Sequence, residues 1–230
     1  MSFQLMLAPM EGAADAKFRT LCHQNGADLT FTAIARVANL ARRKKGELEI
    51  ITLPDSTPTQ IQLAGAKIVE YGKFLSSFTP SHGFRGFNLN LGCSSPAFIR
   101  QGIGAAMVKR VKRTSEIVKL IHNAGFECSV KMRLGENKFE KKNGAYLNLI
   151  KNVDASFFVV HARTAAQTLD DRADFHVYSK CVETGRKIVA NGDIKTREQV
   201  VMLKEAGLYG AMIGRAAIGH PAIFKELRTG

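Results

Sequence analysis

The stretch FNLNLGCSSP at residues 87–96 decides the fold of this chain, because it predicts a buried strand that delivers a cysteine to a loop. Asn88 and Asn90 are two residues apart, so in an extended strand their side chains point to the same side. Two buried amides are costly unless other polar groups meet them, which indicates a polar site at the end of the strand. Taken alone, Cys93 is more typical of a small buried apolar residue than of a reactive thiol.

The same arrangement recurs in three further segments of the chain. Each is an apolar strand pattern that ends with polar residues at positions i and i+2, namely Lys131 and Arg133, His161 and Arg163, and Asn191 and Asp193. Helical periodicity separates the segments, as over residues 105–124 and 197–206. Strands that alternate with helices in this way are typical of a parallel sheet that is covered on both faces.

The whole chain of 230 residues contains about eight such strand–helix units, which predicts an α/β fold of the (β/α)8 TIM-barrel type. The strands are expected to begin near Gln4, Leu29, Thr59, Gly86, Cys128, Ser156, Lys187 and Gly210. The pattern near Leu29 is the weakest of these. We expect a single domain over residues 1–230, with the functional residues at the C-terminal ends of the strands. Any one polar pair could simply end a strand, but four in register favour a shared site.

The last two predicted strands indicate a phosphate site. Gly192 follows the seventh strand and Gly214 the eighth, and glycine allows a ligand to approach the backbone closely. Arg215 adds a fork-shaped cation that suits phosphate. Barrels of this type often bind phosphate between these two loops and a short helix.

Seven motifs together resemble the tRNA-dihydrouridine synthase family, in the family's order. They are APMEG at 8–12, QLAG at 62–65, NLGC at 90–93, KMRLG at 131–135, HART at 161–164, NGDI at 191–194 and GRAAIG at 214–219. The resemblance runs from about residue 6 to residue 224. It implies an FMN-binding barrel that reduces uridine in tRNA to 5,6-dihydrouridine, with NADPH or NADH as the reductant.

The resemblance also implies roles for single residues. The FMN ring would lie against the backbone of Pro9 and Met10, and Gln62 would hydrogen-bond its pyrimidine edge. Lys131 would lie near N1 and O2 of the ring, where negative charge develops on reduction. The remaining FMN contacts, mainly around the ribityl phosphate, would come from His161, Asn191, Gly192, Asp193, Gly214 and Arg215.

The implied chemistry uses the cysteine of the opening stretch. Reduced flavin passes a hydride to C6 of uracil, and Cys93 gives a proton to C5 from the opposite face. A thiol suits this role because it is protonated near neutral pH. The uracil itself would be contacted by Asn90, Arg133 and Arg163.

Several positions depart from the family's usual pattern. Ser94 stands where proline is common, Ala97 where lysine is frequent, and Phe175 where tryptophan is usual. A tyrosine that is often seen near the position of Leu169 is absent. These departures leave the implied FMN site intact and affect the expected RNA contacts.

The chain also ends earlier than is usual for this family. Family members commonly continue past the barrel into a helical domain that binds tRNA. Here the sequence ends at Gly230, in a helix that is expected to begin near Pro221. The alternatives are a relative that consists of the barrel alone and a shortened chain, and both remain open.

Composition points to an anionic partner. The 33 lysines and arginines exceed the 20 aspartates and glutamates, which gives a formal net charge of +13. Such a surplus is expected of a protein that binds phosphate backbones. The densest basic runs are residues 42–45, 109–113 and 138–142. The first and third are expected on the active-site side, whereas the second favours a solvated outer helix face, and all three could serve solubility alone.

The remaining sequence features bear on the cellular location of the protein and argue against a metal site. No apolar run approaches the length of a membrane span, and no secretion signal precedes the first strand. Four cysteines lack the spacing of a metal site and indicate free thiols in a reducing cytoplasm. We therefore expect a cytoplasmic protein that binds no metal; its oligomeric state is left open.

Two other functions remain possible from the sequence. One is a flavin barrel that acts on a small free pyrimidine, as dihydroorotate and dihydropyrimidine dehydrogenases do; the basic charge and the motifs count against it. The other is a relative that binds FMN or RNA without turnover. The presence of both Cys93 and Lys131 argues against this second alternative.

Overall fold

The structure is a computed structural model that describes residues 2–228. Its strands are β1 (Gln4–Leu7), β2 (Thr30–Phe31), β3 (Ala35–Arg36), β4 (Thr59–Ala64), β5 (Phe84–Leu91), β6 (Cys128–Met132), β7 (Phe158–His161), β8 (Ile188–Asn191) and β9 (Gly210–Ile213). The first α-helices are α1 (Ala16–Gln24), α2 (Val37–Leu40), α3 (Lys45–Ile50), α4 (Ile68–Leu75), α5 (Pro96–Arg100) and α6 (Val111–Asn123). They are followed by α7 (Lys138–Lys142), α8 (Ala145–Asn152), α9 (Val177–Val182), α10 (Arg197–Glu205) and α11 (Ile223–Glu226). Two 3-10 helices cover Gly104–Met107 and Arg215–Ala217.

All strand pairs are parallel, and the sheet runs in the order β1-β9-β8-β7-β6-β5-β4-β2, with β3 also paired to β4. A parallel bridge between Met6 and Leu29 brings the two edges of the sheet together. The N–H of Leu7 donates to the carbonyl of Leu29 at 2.9 Å across the same gap. The predicted (β/α)8 barrel is therefore confirmed.

The second strand is where the structure differs most from the prediction. It is divided into β2 and β3, because the side chain of Thr32 interrupts the ladder. Its hydroxyl accepts the N–H of Gln62 at 3.0 Å and donates to the carbonyl of Ala33 at 2.8 Å. The other strands begin at or within two residues of the predicted positions.

Two predicted helices also differ from the structure. The segment 105–124 contains the first 3-10 helix and then α6, because the N–H of Ala105 donates to the carbonyl of Cys93 at 3.0 Å. The short helix after the last strand is the second 3-10 helix. The helix expected from Pro221 is α11, and Gly230, where we expected it to end, lies outside the described residues.

Side chains alternate between the two faces of each strand, and the inward set determines the site. On one side of the barrel interior this set is an apolar cluster formed by Met6, Ala8, Phe31, Phe157, Val159, Val189 and Met212. On the other side, β4, β5 and β6 bring polar residues into neighbouring register, namely Gln60, Gln62, Asn88, Asn90, Ser129 and Lys131. The outward set packs beneath the helices in the main core.

Within residues 2–228, no helix is both long enough and apolar enough to cross a membrane.

Candidate active site

A cavity of about 690 Å³ opens at the C-terminal ends of the strands. It is lined by ten of the residues that the sequence predicts for the site: Pro9, Met10, Lys131, His161, Arg163, Asn191, Gly192, Asp193, Gly214 and Arg215. The volume lies within the usual range of cofactor and ligand sites, about 300–1,000 Å³. The strand ends thus bring most of the predicted residues around one space.

The cavity has an excess of positive charge. Its cationic lining residues are Lys131, Arg163, Arg172, Lys195 and Arg215. Its carboxylates are Asp170, Asp171 and Asp193. This balance suits a ligand that carries negative charge.

Lys131 extends from β6 into this cavity. Burial, and secondarily the positive charge of Arg133, lowers the pKa of its ammonium group to about 8. Within the part of the chain that the structure describes, the ammonium makes no hydrogen bond or ion pair. Lys131 is therefore a partly desolvated donor that is available to an acceptor on a ligand.

His161, at the end of β7, is held as a neutral ring. Burial and the neighbouring cations, Lys131 first, lower its pKa to about 2. Its Nε2 lies 3.1 Å from Nη1 of Arg163. Because a guanidinium only donates, Nε2 accepts this bond and the ring proton is on Nδ1.

Asp193 joins two arginines at the edge of the cavity. Its left-handed backbone, at φ 53°, follows Gly192. One carboxylate oxygen accepts from Arg163 and the other accepts from Arg215 at 3.0 Å. Burial opposes ionisation, but hydrogen bonds from Arg163 and the N–H of Ala173 hold the pKa of Asp193 below its ordinary value.

Arg163 also anchors the loop that forms one side of the cavity. Its side chain is 1% exposed, and Nε donates to the carbonyl of Asp171 at 2.8 Å. Nη2 donates to the carbonyl of Leu169 at 3.2 Å. The structure thus places the guanidinium against loop carbonyls and Asp193, and its predicted contact with uracil stays a prediction.

Gly192 needs to be glycine at this corner. Its φ is +117°, a conformation that other residues rarely adopt. A Cβ at this position would lie 2.9 Å from Cδ2 of His161. The loop is further fixed where Thr196 and Gln199 form a capping box at the start of α10, and Gln199 Nε2 donates to the carbonyl of Asp193 at 3.1 Å.

Asn191 is fixed by β9 and α9. Its Nδ2 donates to the carbonyl of Met212 at 2.9 Å, and its backbone N–H donates to the hydroxyl of Tyr178 at 3.0 Å. This side chain therefore orders the strand ends around the corner where a phosphate is predicted.

Four of the predicted site residues do not line the cavity, namely Gln62, Asn90, Cys93 and Arg133. The two amides and the backbone of Cys93 belong instead to a chain of hydrogen bonds through the polar half of the barrel. The steps are Cys93 N to Asn90 Oδ1 at 2.9 Å, Asn90 Nδ2 to Gln62 Oε1 at 2.9 Å, Gln62 Nε2 to Asn88 Oδ1 at 2.7 Å, Asn88 Nδ2 to Ser129 Oγ at 2.7 Å, Ser129 Oγ to Gln60 Oε1 at 2.5 Å, and Gln60 Nε2 to the carbonyl of Arg85 at 3.1 Å. Every amide in it both donates and accepts, so the cysteine loop rests on a fully satisfied network.

Arg133 lies just beyond the end of β6, beside the loop that carries Cys93. Its Nη1 donates to the carbonyls of Thr164 at 2.6 Å and Gln167 at 3.1 Å. Burial, followed by the charge of Arg163, lowers its pKa. Arg133 thus connects the loops after β6 and β7, and its predicted contact with uracil remains a prediction.

One side of the cavity was not predicted from the sequence. Residues 169–172, in the loop after β7, and Lys195, after β8, line it. The signal that could have revealed the loop is the charged run of Asp170, Asp171 and Arg172, which follows a strand whose end already carries His161 and Arg163.

Comparison with known proteins gives one family. The model of the family described as Dihydrouridine synthase (Dus) matches residues 6–230. The chain is 28% identical to tRNA-dihydrouridine synthase B of Pseudomonas putida over 234 residues, which cover 98% of this chain and 69% of that protein. It is also 28% identical to a probable tRNA-dihydrouridine synthase of Aquifex aeolicus over 231 residues, with 98% and 72% covered.

Solved structures resemble the chain in fold. N-(5'-phosphoribosyl)anthranilate isomerase from Pyrococcus furiosus superposes with a TM-score of 0.56 at 12% identity, covering 98% of this chain and 96% of that one. Nitroalkane oxidase from Streptomyces ansochromogenes gives 0.55 at 13% identity, with 92% and 65% covered. At these identities the likeness concerns the barrel alone.

Proposed function

This chain belongs to the dihydrouridine synthase family, and we propose that it reduces uridine in tRNA to 5,6-dihydrouridine with a bound FMN. The family that the seven motifs indicated is thereby confirmed. The relatives named above are tRNA-dihydrouridine synthases, which supports tRNA as the substrate. The cytoplasm, where tRNA is available, is the proposed location.

The observation that carries the proposal is the placement of Lys131 and Arg215 on one cavity. An unpartnered, desolvated ammonium faces the same space as an exposed guanidinium beside Gly192 and Gly214. FMN requires this pair of features, because it carries an acceptor-rich ring edge at one end and a phosphate at the other. The residues present therefore fit the cofactor.

Some residues of the chain would contact FMN directly, and others would hold those residues in position. Arg215 would hold the phosphate, and Gly192 and Gly214 would let it approach the backbone. Lys131 would donate to N1 and O2 of the ring, with Pro9 and Met10 against its plane. His161, Asn191 and Asp193 would keep these groups in place through the hydrogen bonds described above.

Gln62 is proposed to contact the pyrimidine edge of the ring. It is fully buried, and both ends of its amide are used within the hydrogen-bond chain. A carboxamide oxygen can accept a second hydrogen bond while it keeps the one from Asn90. Because Gln62 is fully buried and does not line the cavity, this contact would require its amide to shift towards the cofactor.

When bound, the reduced flavin would supply a hydride to C6 of uracil, with NADPH or NADH as the source of electrons. Cys93 would then transfer its thiol proton to C5 from the opposite face. Asn90 holds the backbone of this cysteine, and solvent would return the proton to the thiolate. Asn90, Arg133 and Arg163 would orient the base.

The direct test has three readouts on the purified chain. We expect the absorption spectrum of bound flavin, bleaching of that spectrum by NADPH, and dihydrouridine in an unmodified tRNA transcript. A chain that stays colourless and cannot be reconstituted with FMN would remove the cofactor proposal. Faster reduction of free uracil or orotate than of tRNA would replace it with the small-pyrimidine alternative.

A further inference from the structure

A second cleft, of about 570 Å³, lies next to the active-site cavity. It is lined mainly by residues of α7, α8 and α9, namely Lys138, Lys141, Lys142, Tyr146, Gln167, Asp174, His176, Val177 and Lys180. The loop after β7 separates the two spaces, because residues 169–172 line the cavity whereas Gln167 and Asp174 line the cleft. An RNA strand that delivers a nucleotide to the cavity would therefore pass close to the cleft.

Three of the four lysines that line the cleft have no ion-pair partner among the described residues. Lys141 pairs with Asp174 at 2.6 Å. Lys138, Lys142 and Lys180 make no ion pair or hydrogen bond within residues 2–228. Three ammonium groups without a hydrogen-bonded carboxylate around one concave surface favour an anionic occupant.

Tyr146 supplies an independent indication of a ligand. Its side chain is 4% exposed and lines the cleft, yet its hydroxyl has no hydrogen-bond partner among the described residues. Burial raises its pKa to about 12, so the hydroxyl is a neutral donor at neutral pH. The hydroxyl is open to the cleft rather than enclosed by protein, and a phosphate oxygen bound in the cleft would accept a hydrogen bond from it.

Phe139 adds an exposed aromatic ring on the same helix. It is 72% exposed, between the lysines of α7. The helix beneath it is held in place, because Lys109 bonds Glu140 at 2.9 Å and the side chain of Asn137 accepts the N–H of Glu140. A lone exposed phenylalanine needs no explanation, but an aromatic ring on the helix whose lysines line a cationic cleft suits the binding of single-stranded nucleic acid.

We propose that this cleft binds a backbone phosphate of the RNA substrate and that Phe139 stacks on an adjacent unpaired base. The inference rests on the proposed function, because it states where the RNA next to the modified uridine is held. Lys138, Lys142 and Lys180 provide the attraction, and the hydroxyl of Tyr146 donates to the phosphate.

The test measures binding of an unmodified tRNA transcript to the full chain at several salt concentrations. The variant Lys138→Gln/Lys142→Gln should reduce the log–log salt dependence by about 0.7–0.9, the contribution of the one phosphate contact that is assigned to the cleft. The matched control is Lys112→Gln/Lys119→Gln, which removes two exposed lysines from the outer face of α6. The control should keep a steeper salt dependence than the cleft variant.

The stacking and hydroxyl contacts are tested by single variants. Phe139→Ala should weaken binding on the order of tenfold, and Phe139→Trp should restore it. Val69→Ala, which shortens another exposed apolar side chain, should have no effect. Tyr146→Phe should weaken binding a few-fold without changing the flavin content.

The outcomes separate this inference from the proposed function. The proposal that the cleft binds RNA would be overturned if the cleft variants bound tRNA as wild type does. It would also be overturned if the wild type bound no tRNA. If the variants show the expected effects on tRNA binding but the wild type forms no dihydrouridine, the enzymatic proposal is overturned and the cleft proposal remains supported. A flavin content equal to wild type in each variant shows that the fold is preserved.

Discussion

The side-chain oxygen of Asn90 accepts the backbone N–H of Cys93 at 2.9 Å and that of Gly92 at 3.2 Å. The cysteine loop is thus fixed by an amide that belongs to the barrel interior. The same amide donates to Gln62 at 2.9 Å. A residue proposed for the flavin and the residue proposed for proton transfer are therefore held by one side chain.

We expect Asn90→Ala to impair uridine reduction more than flavin binding. The substitution leaves two backbone N–H groups and Gln62 Oε1 without partners, at a cost to the free energy of unfolding of about 1–3 kcal/mol. The turnover number on tRNA should fall at least tenfold, because the thiol is no longer positioned. Asn148→Ala, at an exposed asparagine of α8, is the control. An unchanged turnover number would show that Asn90 does not position the cysteine.

Cys93→Ala should separate the two halves of the reaction. The variant should bind flavin and be reduced by NADPH as wild type is, because the thiol is assigned to proton transfer alone. Dihydrouridine formation should fall by about 10²–10⁴, the usual contribution of a general acid. Stopped-flow flavin reduction and single-turnover assays on tRNA measure the two steps. Equal product formation by the variant and by wild type would make Cys93 a structural residue.

The alternation of side chains is what the sequence predicts best. Asn88 and Asn90 could be placed on one face of β5 because a strand repeats every two residues. Arg133 and Arg163 follow the same spacing, but they lie just beyond β6 and β7, where the chain is no longer a strand. Their side chains therefore turn to loop carbonyls rather than into the cavity alone.

Contacts that depend on pairing between strands could not be predicted. Ser129 joins the amide chain only because the register places it beside Asn88. The division of the second strand likewise depends on Thr32 bonding to Gln62, which is 30 residues away. The loop at 169–172 has no periodic pattern, so its position beside the cavity could not be predicted from the sequence. That position depends on the hydrogen bonds that Arg163 donates to the loop carbonyls.

Arg215→Ala should lower the affinity for FMN. Arg215 is more than half exposed and pairs only with Asp193 among the described residues, so it is available to a phosphate. Loss of a charge-assisted bond of about 1.5–3 kcal/mol corresponds to roughly 10- to 150-fold weaker binding. Titration of the flavin-free protein with FMN measures this, and riboflavin, which lacks the phosphate, should bind both proteins equally. A loss of riboflavin affinity as large as that of FMN would place Arg215 away from the phosphate.

Lys131→Met should stabilise the flavin-free protein while it weakens FMN binding. Below about pH 8 the wild type carries the cost of a partly desolvated ammonium that has no partner among the described residues, which we expect to be on the order of 1–3 kcal/mol. Between about pH 8 and the ordinary lysine pKa of 10.5, the folded state releases the proton before the unfolded state does. The stability of the wild type therefore rises with pH through this window, and the advantage of the variant shrinks.

Denaturant unfolding of both flavin-free proteins at several pH values measures this difference, with Lys119→Met as the exposed control on α6. FMN titration at neutral pH should show a lower affinity for the variant than for wild type, because the variant loses the group that donates to the ring. A Lys131→Met protein that is less stable than wild type at pH 7 would mean that the ammonium has a stabilising partner within the fold. Unchanged FMN affinity would separate Lys131 from the flavin.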